Sequence, residues 1–263
     1  MTTSSKTLEK QNKPGGGAQD IKSEAIELGK TIAYAIGIAL VLRIFLFQPF
    51  NIPSGSMIPN LLVGDYLFVS KYSYGYSRHS FPLSLGPIDG RIFESTPKRG
   101  DVAVFKLPRD GRTDYIKRVV GLPGDKIQMR SGVMYINGAP VKRERVEDYI
   151  IRRPSGDVVR SPQFRETMPN GVSYIVREET DLGAKDNTGV YEVPAGHYFM
   201  MGDNRDNSKD SRFLSDVGYV PAENLVGKAQ RMFFSIDGAK TDWWTVWNWP
   251  VAVRYGRLLK AVE

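Results

Sequence analysis

Four stretches of this sequence carry residue types that can do hydrolytic or binding chemistry. PSGSMIPNL (Pro53–Leu61) sets Ser54 and Ser56 around a glycine, between two prolines. YIKRVVGLPGD (Tyr115–Asp125) places Lys117 in a run with Ile116, Val119 and Val120. MGDNRDNSKDSR (Met201–Arg212) is a dense polar loop, and KRGDVAVFKLP (Lys98–Pro108) is a turn leading into an apolar run. Taken singly, each has a plain reading: Ser-Gly-Ser between prolines is a turn, and a lysine on an alternating strand points to water. Taken as chemistry, a serine hydroxyl becomes a nucleophile only beside a base. The chain has no cysteine, which excludes thiolate nucleophiles, disulfides and thiolate metal sites. Its two histidines, His79 and His197, are too few for a histidine-rich metal site, and any Ser–His pair must use one of them. A lysine is the other candidate base. Burial lowers a lysine from ~10.4 by up to ~3–5 pKa units, enough to make a neutral amine available.

Such residues need a scaffold, and the chain changes character along its length. Residues 1–20 are polar, with three consecutive glycines, and are expected to be a disordered tail. Residues 31–47, TIAYAIGIALVLRIFLF, are apolar except for Thr31 and Arg43. As a helix of 17 residues they rise about 25 Å, close to the ~30 Å of a bilayer core. A buried soluble helix and a cleaved signal peptide compete with a membrane anchor for this run. The bulky, proline-containing FQPFNIP that follows offers no small-residue cleavage site and favours the anchor. Beyond it come short β-rich runs at 64–72, 101–107, 114–122, 132–141, 171–179 and 196–203. Turn signals such as Asn137-Gly138 and Asn170-Gly171 separate them. No long amphipathic helix intervenes, so the expected class is mostly β: one transmembrane helix followed by an antiparallel catalytic sheet. The expected domains are a tail and helix lead-in (1–28), the anchor (29–48), a β core (49–125 and 195–263) and an inserted β-rich subdomain (126–194). All four tryptophans lie in DWWTVWNWP, where core packing and a membrane interface are equally good readings.

In this order, after a single apolar span, the segments resemble bacterial type I signal peptidases. The resemblance rests on FLFQPFNIPSGSMIPNLLVGDYLFVSKYSYG, KRGDVAVFK, YIKRVVGLPGD and MGDNRDNSKDSR. It covers about residues 25–125 and 195–260. It implies a membrane-anchored serine endopeptidase with Ser56 as nucleophile and Lys117 as general base. The oxyanion hole would be the Ser54 hydroxyl and the Ser56 backbone N–H. Ser208 would hydrogen-bond the lysine, Asp203 and Arg118 would form an ion pair, and Asp210, Arg212 and Tyr115 would support the site. Phe50, Ile52, Pro53, Met57, Leu61, Leu67, Val104 and Ile116 would line shallow sub-sites for small residues, giving Ala-x-Ala-type specificity. Asn60 departs from the family pattern, which commonly has Thr there.

The partners so implied are exported preproteins and the lipid bilayer, with no cofactor and no metal. The net charge of +7 is spread along the chain rather than clustered, so no nucleic-acid partner is expected. Five lysines precede the span, and no basic residue occurs between Arg43 and Lys71. The positive-inside rule then places the N-terminus in the bacterial cytoplasm and the catalytic region outside the inner membrane. Two other readings compete. Other Ser–Lys peptidases, including self-cleaving repressors and organellar inner-membrane peptidases, share the chemistry. A non-catalytic anchored β-domain would need neither Ser56 nor Lys117.

Overall fold

The computed structural model describes residues 18–152, 156–180, 182–238 and 245–262. The chain forms two compact units, Met1–Val41 and Leu42–Glu263. The expected tail up to residue 17 lies outside the described residues, as do Trp243 and Trp244.

Helix α1 (Ala18–Phe45) begins earlier than the apolar run because AQDIKSEAIEL has good helix formers and no breaker. Its segment Ile21–Phe45 has a mean hydropathy of 1.7 over its most apolar stretch, with none of that stretch buried in the protein. A long apolar helix with exposed Ile32, Ile36, Ile38 and Leu42 fits a membrane anchor.

The first strands are β1 (Phe47–Asn51), β2 (Asp65–Ser70), β3 (Tyr76–Ser77), β4 (Arg91–Ile92), β5 (Val102–Lys106) and β6 (Asp114–Gly121). Next come β7 (Lys126–Arg130), β8 (Val133–Ile136), β9 (Ala139–Pro140), β10 (Lys142–Arg152), β11 (Val158–Thr167) and β12 (Ser173–Arg177). The last are β13 (Tyr191–Glu192), β14 (His197–Met201), β15 (Val220–Pro221) and β16 (Leu225–Ser235). A short helix, α2 (Trp249–Ala252), follows.

The principal sheet has the order β1-β2-β16-β5-β6-β14-β15, and every pairing in it is antiparallel. Pro49, which has no N–H, falls on the edge strand β1, where a sheet tolerates it. The expected end of the anchor at 48 therefore gives way to a strand that already starts at Phe47. The central strands β5 and β6 are buried at nearly every position, on both faces. One apolar cluster packs Ile52, Met57, Leu61, Leu67 and Val104 against Ile116.

Residues 126–194 form the sheets β10-β11-β12 and β13-β7-β8-β9, the last including the predicted Asn137-Gly138 turn. Both turn residues have positive φ, 53° and 83°, which fits the tight connection between β8 and β9. These sheets are not a free-standing insert. Ile127, Met134 and Val176 share one core with Val120 of β6 and Phe199 of β14. The peripheral strands are therefore fixed against the sheet that carries Lys117.

Candidate active site

The chain leaves β1 and turns through a 3-10 segment, Gly55–Met57, that presents Ser56. Met57 is fully buried and pins this turn to the core. A loop 148 residues further along holds the turn from behind. The Asn204 backbone N–H donates to the Ser56 carbonyl at 3.1 Å, and Asn204 Nδ2 donates to the Gly55 carbonyl at 2.9 Å. Gly202 passes so close that an added Cβ would stand 2.5 Å from the Ser56 carbonyl oxygen.

Lys117 comes from the middle of β6, where it pairs with Ala103 of β5. The strand is covered on both faces, so the lysine is only 3% exposed and does not point to water. Its Nζ donates to Ser56 Oγ at 2.7 Å and to the Ile116 carbonyl at 3.0 Å, and lies 5.3 Å from the Tyr115 ring centre. Desolvation by burial lowers its pKa from 10.5 to about 8. Asp210 and then Asp203 push the other way, and Arg212 assists the lowering. Ser54 Oγ stands 3.5 Å from Ser56 Oγ and is exposed to the cleft.

Three buried ion pairs frame the loop. Arg118 binds Asp203 through two bonds of 2.8 and 2.7 Å, and its guanidinium lies 4.0 Å from the Tyr174 ring centre. Asn60 Nδ2 donates to the same Asp203 carboxylate at 2.7 Å and to the Ile175 carbonyl. Asn60 thus stands in the ion-pair network, which its amide completes. Arg212 binds Asp210 with two bonds of 2.8 Å and also donates to the Arg205 carbonyl. Asp210 is held below the usual carboxylate range by Arg212, against a desolvation that works the other way. Arg205 binds Glu166 of β11, which also accepts from the Tyr174 hydroxyl at 2.9 Å.

The placement of the sequence candidates is uneven. Ser56, Lys117, Ser54 and Tyr115 converge on one cavity of about 370 Å³, with Phe50, Pro53 and Ile116 in its walls. Ile52, Met57, Leu61, Leu67 and Val104 do not line it. They are at most 2% exposed and form the core behind the wall, so they shape it only indirectly. Ser208 is buried but makes no hydrogen bond to Lys117. Its hydroxyl has no partner of good geometry and faces Asp210, whose pKa it helps to lower. Neither histidine lines the cavity. Neither Asn204 as a clamp nor Glu166 as the partner of Arg205 is foreseeable from the sequence. A lone amide in a polar loop and a lone acid on an alternating strand are both unremarkable until their contacts are known.

The family model for signal peptidase, peptidase S26, matches residues 25–234. The chain belongs to this family. Signal peptidase I of Rickettsia typhi is 43% identical over 222 residues, 81% of each chain. Signal peptidase I of Rickettsia canadensis is 42% identical over 223 residues, 82% of this chain and 81% of the relative. A crystal structure of a signal peptidase I from Enterococcus faecalis V583 aligns at 29% identity, over 51% of this chain and 97% of its own, with a TM-score of 0.30. Membership makes this signal peptidase a hydrolase of the serine peptidase class. In it, the convergence of Ser56 and Lys117 is the arrangement able to supply a nucleophile and a base.

Proposed function

We propose that this signal peptidase removes signal peptides from exported preproteins with Ser56 as nucleophile and Lys117 as base. The observation that carries the reading is the 2.7 Å contact between Lys117 Nζ and Ser56 Oγ at a buried site beside an open cleft. Neutral Lys117 takes the hydroxyl proton as Oγ attacks the scissile carbonyl. The developing oxyanion is met by the Ser54 hydroxyl and the Ser56 backbone N–H. The ammonium then protonates the leaving amine, and Lys117 activates the water that releases the acyl group from Ser56. Phe50, Tyr115 and Ile116 narrow the cleft, which supports small residues at positions −1 and −3 and hence Ala-x-Ala-type sites. The five lysines before α1 support a cytoplasmic N-terminus, with the catalytic unit on the outer face of the bacterial cytoplasmic membrane.

The test is incubation of the detergent-solubilised chain with a preprotein carrying Ala-x-Ala. A single cut after the second alanine is expected, with none in Ser56→Ala. Undiminished cleavage by Ser56→Ala ends this reading.

A further inference from the structure

Beside the Ser56 cleft lies a second cavity. It has a volume of about 560 Å³ and adjoins the cleft, sharing Asp114 with it. Four cations line it, Arg43, Lys71, Lys106 and Arg112, against the single carboxylate of Asp114. Asp114 is already taken by Lys106 at 2.8 Å. Arg43 and Arg112 have no ion-pair partner among the described residues. Lys71 is 2% exposed and spends one of its three donors on the Ser80 carbonyl. Burial lowers its pKa to about 8, so it is still charged at neutral pH.

His79 points to a ligand independently of these charges. It lines the cavity at 4% exposure, and both of its ring nitrogens are buried without a hydrogen-bond partner. Buried polar atoms in folded proteins are almost always paired, because an unmade bond is costly. A group that satisfies a histidine N–H, a buried ammonium and two arginines together must offer several acceptor oxygens and negative charge. Phosphate oxygens do so, and guanidinium groups bind them through paired bonds.

We propose that this cavity binds the phosphate of an anionic phospholipid headgroup. Two observations favour a lipid over a free ion. Arg43 sits in the last turn of α1, at the end of the candidate span. The rim carries Leu83 at 87% exposure, an apolar lip beside a cationic interior, as a molecule with acyl chains and a charged head requires. Such a site lets the bilayer hold the catalytic unit by a specific contact next to the cleft, beyond the general attraction of basic residues to anionic membranes.

The test uses the full chain in phosphate-free maltoside micelles, with isotope-labelled histidine. Only two histidine ring signals exist, and His197→Gln assigns them. Short-chain phosphatidylglycerol, short-chain phosphatidylcholine and inorganic phosphate are titrated separately. Phosphatidylglycerol is expected to move the His79 signal saturably and leave His197 in place. Arg112→Gln and Lys71→Met should each weaken that binding about tenfold, the worth of one charge-assisted hydrogen bond. Cleavage of a soluble peptide without lipid should be unchanged. Arg112 is exposed, so its variant reports even if Lys71→Met misfolds. Equal shifts with phosphatidylcholine, a response to inorganic phosphate alone, or no saturable shift would each overturn the proposal. So would variants that leave phosphatidylglycerol binding intact but raise KM for peptides with acidic residues, since the cavity would then be a substrate sub-site.

Discussion

Titrating peptide cleavage against pH puts the Ser56–Lys117 assignment directly at risk. Burial brings Lys117 from 10.5 to about 8. That difference is worth about 3 kcal/mol in favour of the neutral amine. At pH 7 about one molecule in ten then carries a competent base, whereas a solvated lysine would supply fewer than about one in a thousand. Below pH 8, kcat/KM is expected to rise about tenfold per pH unit, then flatten, for a total gain of about ninetyfold between pH 6 and 9. The assay is hydrolysis of a short fluorogenic Ala-x-Ala peptide by the full chain in detergent, with folding followed by circular dichroism at each pH. Asp210→Asn supplies the directional control. Its carboxylate is the largest influence raising the Lys117 pKa, and its removal leaves Arg212, which lowers it. The acid limb should therefore move below 8. An acid limb above 10, or one near 6.5 that vanishes in His197→Ala, refutes the reasoning. So does an upward move in Asp210→Asn.

Three further outcomes follow from the same geometry. Lys117→Met should be inactive yet more thermostable at pH 7. The folded-state pKa lies below the unfolded one, so holding the ammonium costs up to about 3 kcal/mol below pH 8. That cost fades as pH rises from about 8 towards 10.5, so a Tm gap that fails to narrow in that window counts against the assignment. Ser54→Ala should lose about 2.7–4 kcal/mol of transition-state stabilisation with little change in KM, and an unaltered kcat removes it from the oxyanion hole. Glu166→Leu should destabilise by about 3–5 kcal/mol through the stranded Arg205, whereas Glu166→Leu with Arg205→Met should recover most of it. Simple additivity in chemical denaturation would show the two residues uncoupled.

What could be read in the sequence divides along physical lines. The strands around 65–70, 102–106, 114–121 and 197–201 were legible because turn residues bracket dense apolar runs. β16, which lies between β2 and β5, was not. Its register shifts between Ala229 and Arg231 and again between Met232 and Phe234, so the two-residue period never persists. β1 was hidden because Phe47 continues the apolar run of α1 and Pro49 argues against a strand. Ser56 and Lys117 were legible as residue types in recognisable surroundings, but their 2.7 Å contact joins positions 61 apart in the chain. The substrate wall was misread in part. Ile52 and Phe50 are both large and apolar, and the strand period alone would put them on one face. It is the packing of the chain as it leaves β1 that puts Phe50 in the cleft wall and Ile52 in the core.

The tie between Glu166 and Arg205 carries a consequence for inheritance. β10 and β11 form a long hairpin whose outer residues Ile150, Val158 and Arg160 are exposed. Lineages can lengthen, shorten or rewrite that outer part at little cost to the peptidase. Glu166, Tyr174 and Arg205 are different, because changing one strands a buried charge held by the others. A first substitution there costs about 3–5 kcal/mol, a large share of the ~5–15 kcal/mol that holds a domain folded, and a matching second one restores most of it. Descendants of this chain should therefore vary freely along the hairpin tip while Glu166 and Arg205 either persist together or disappear together.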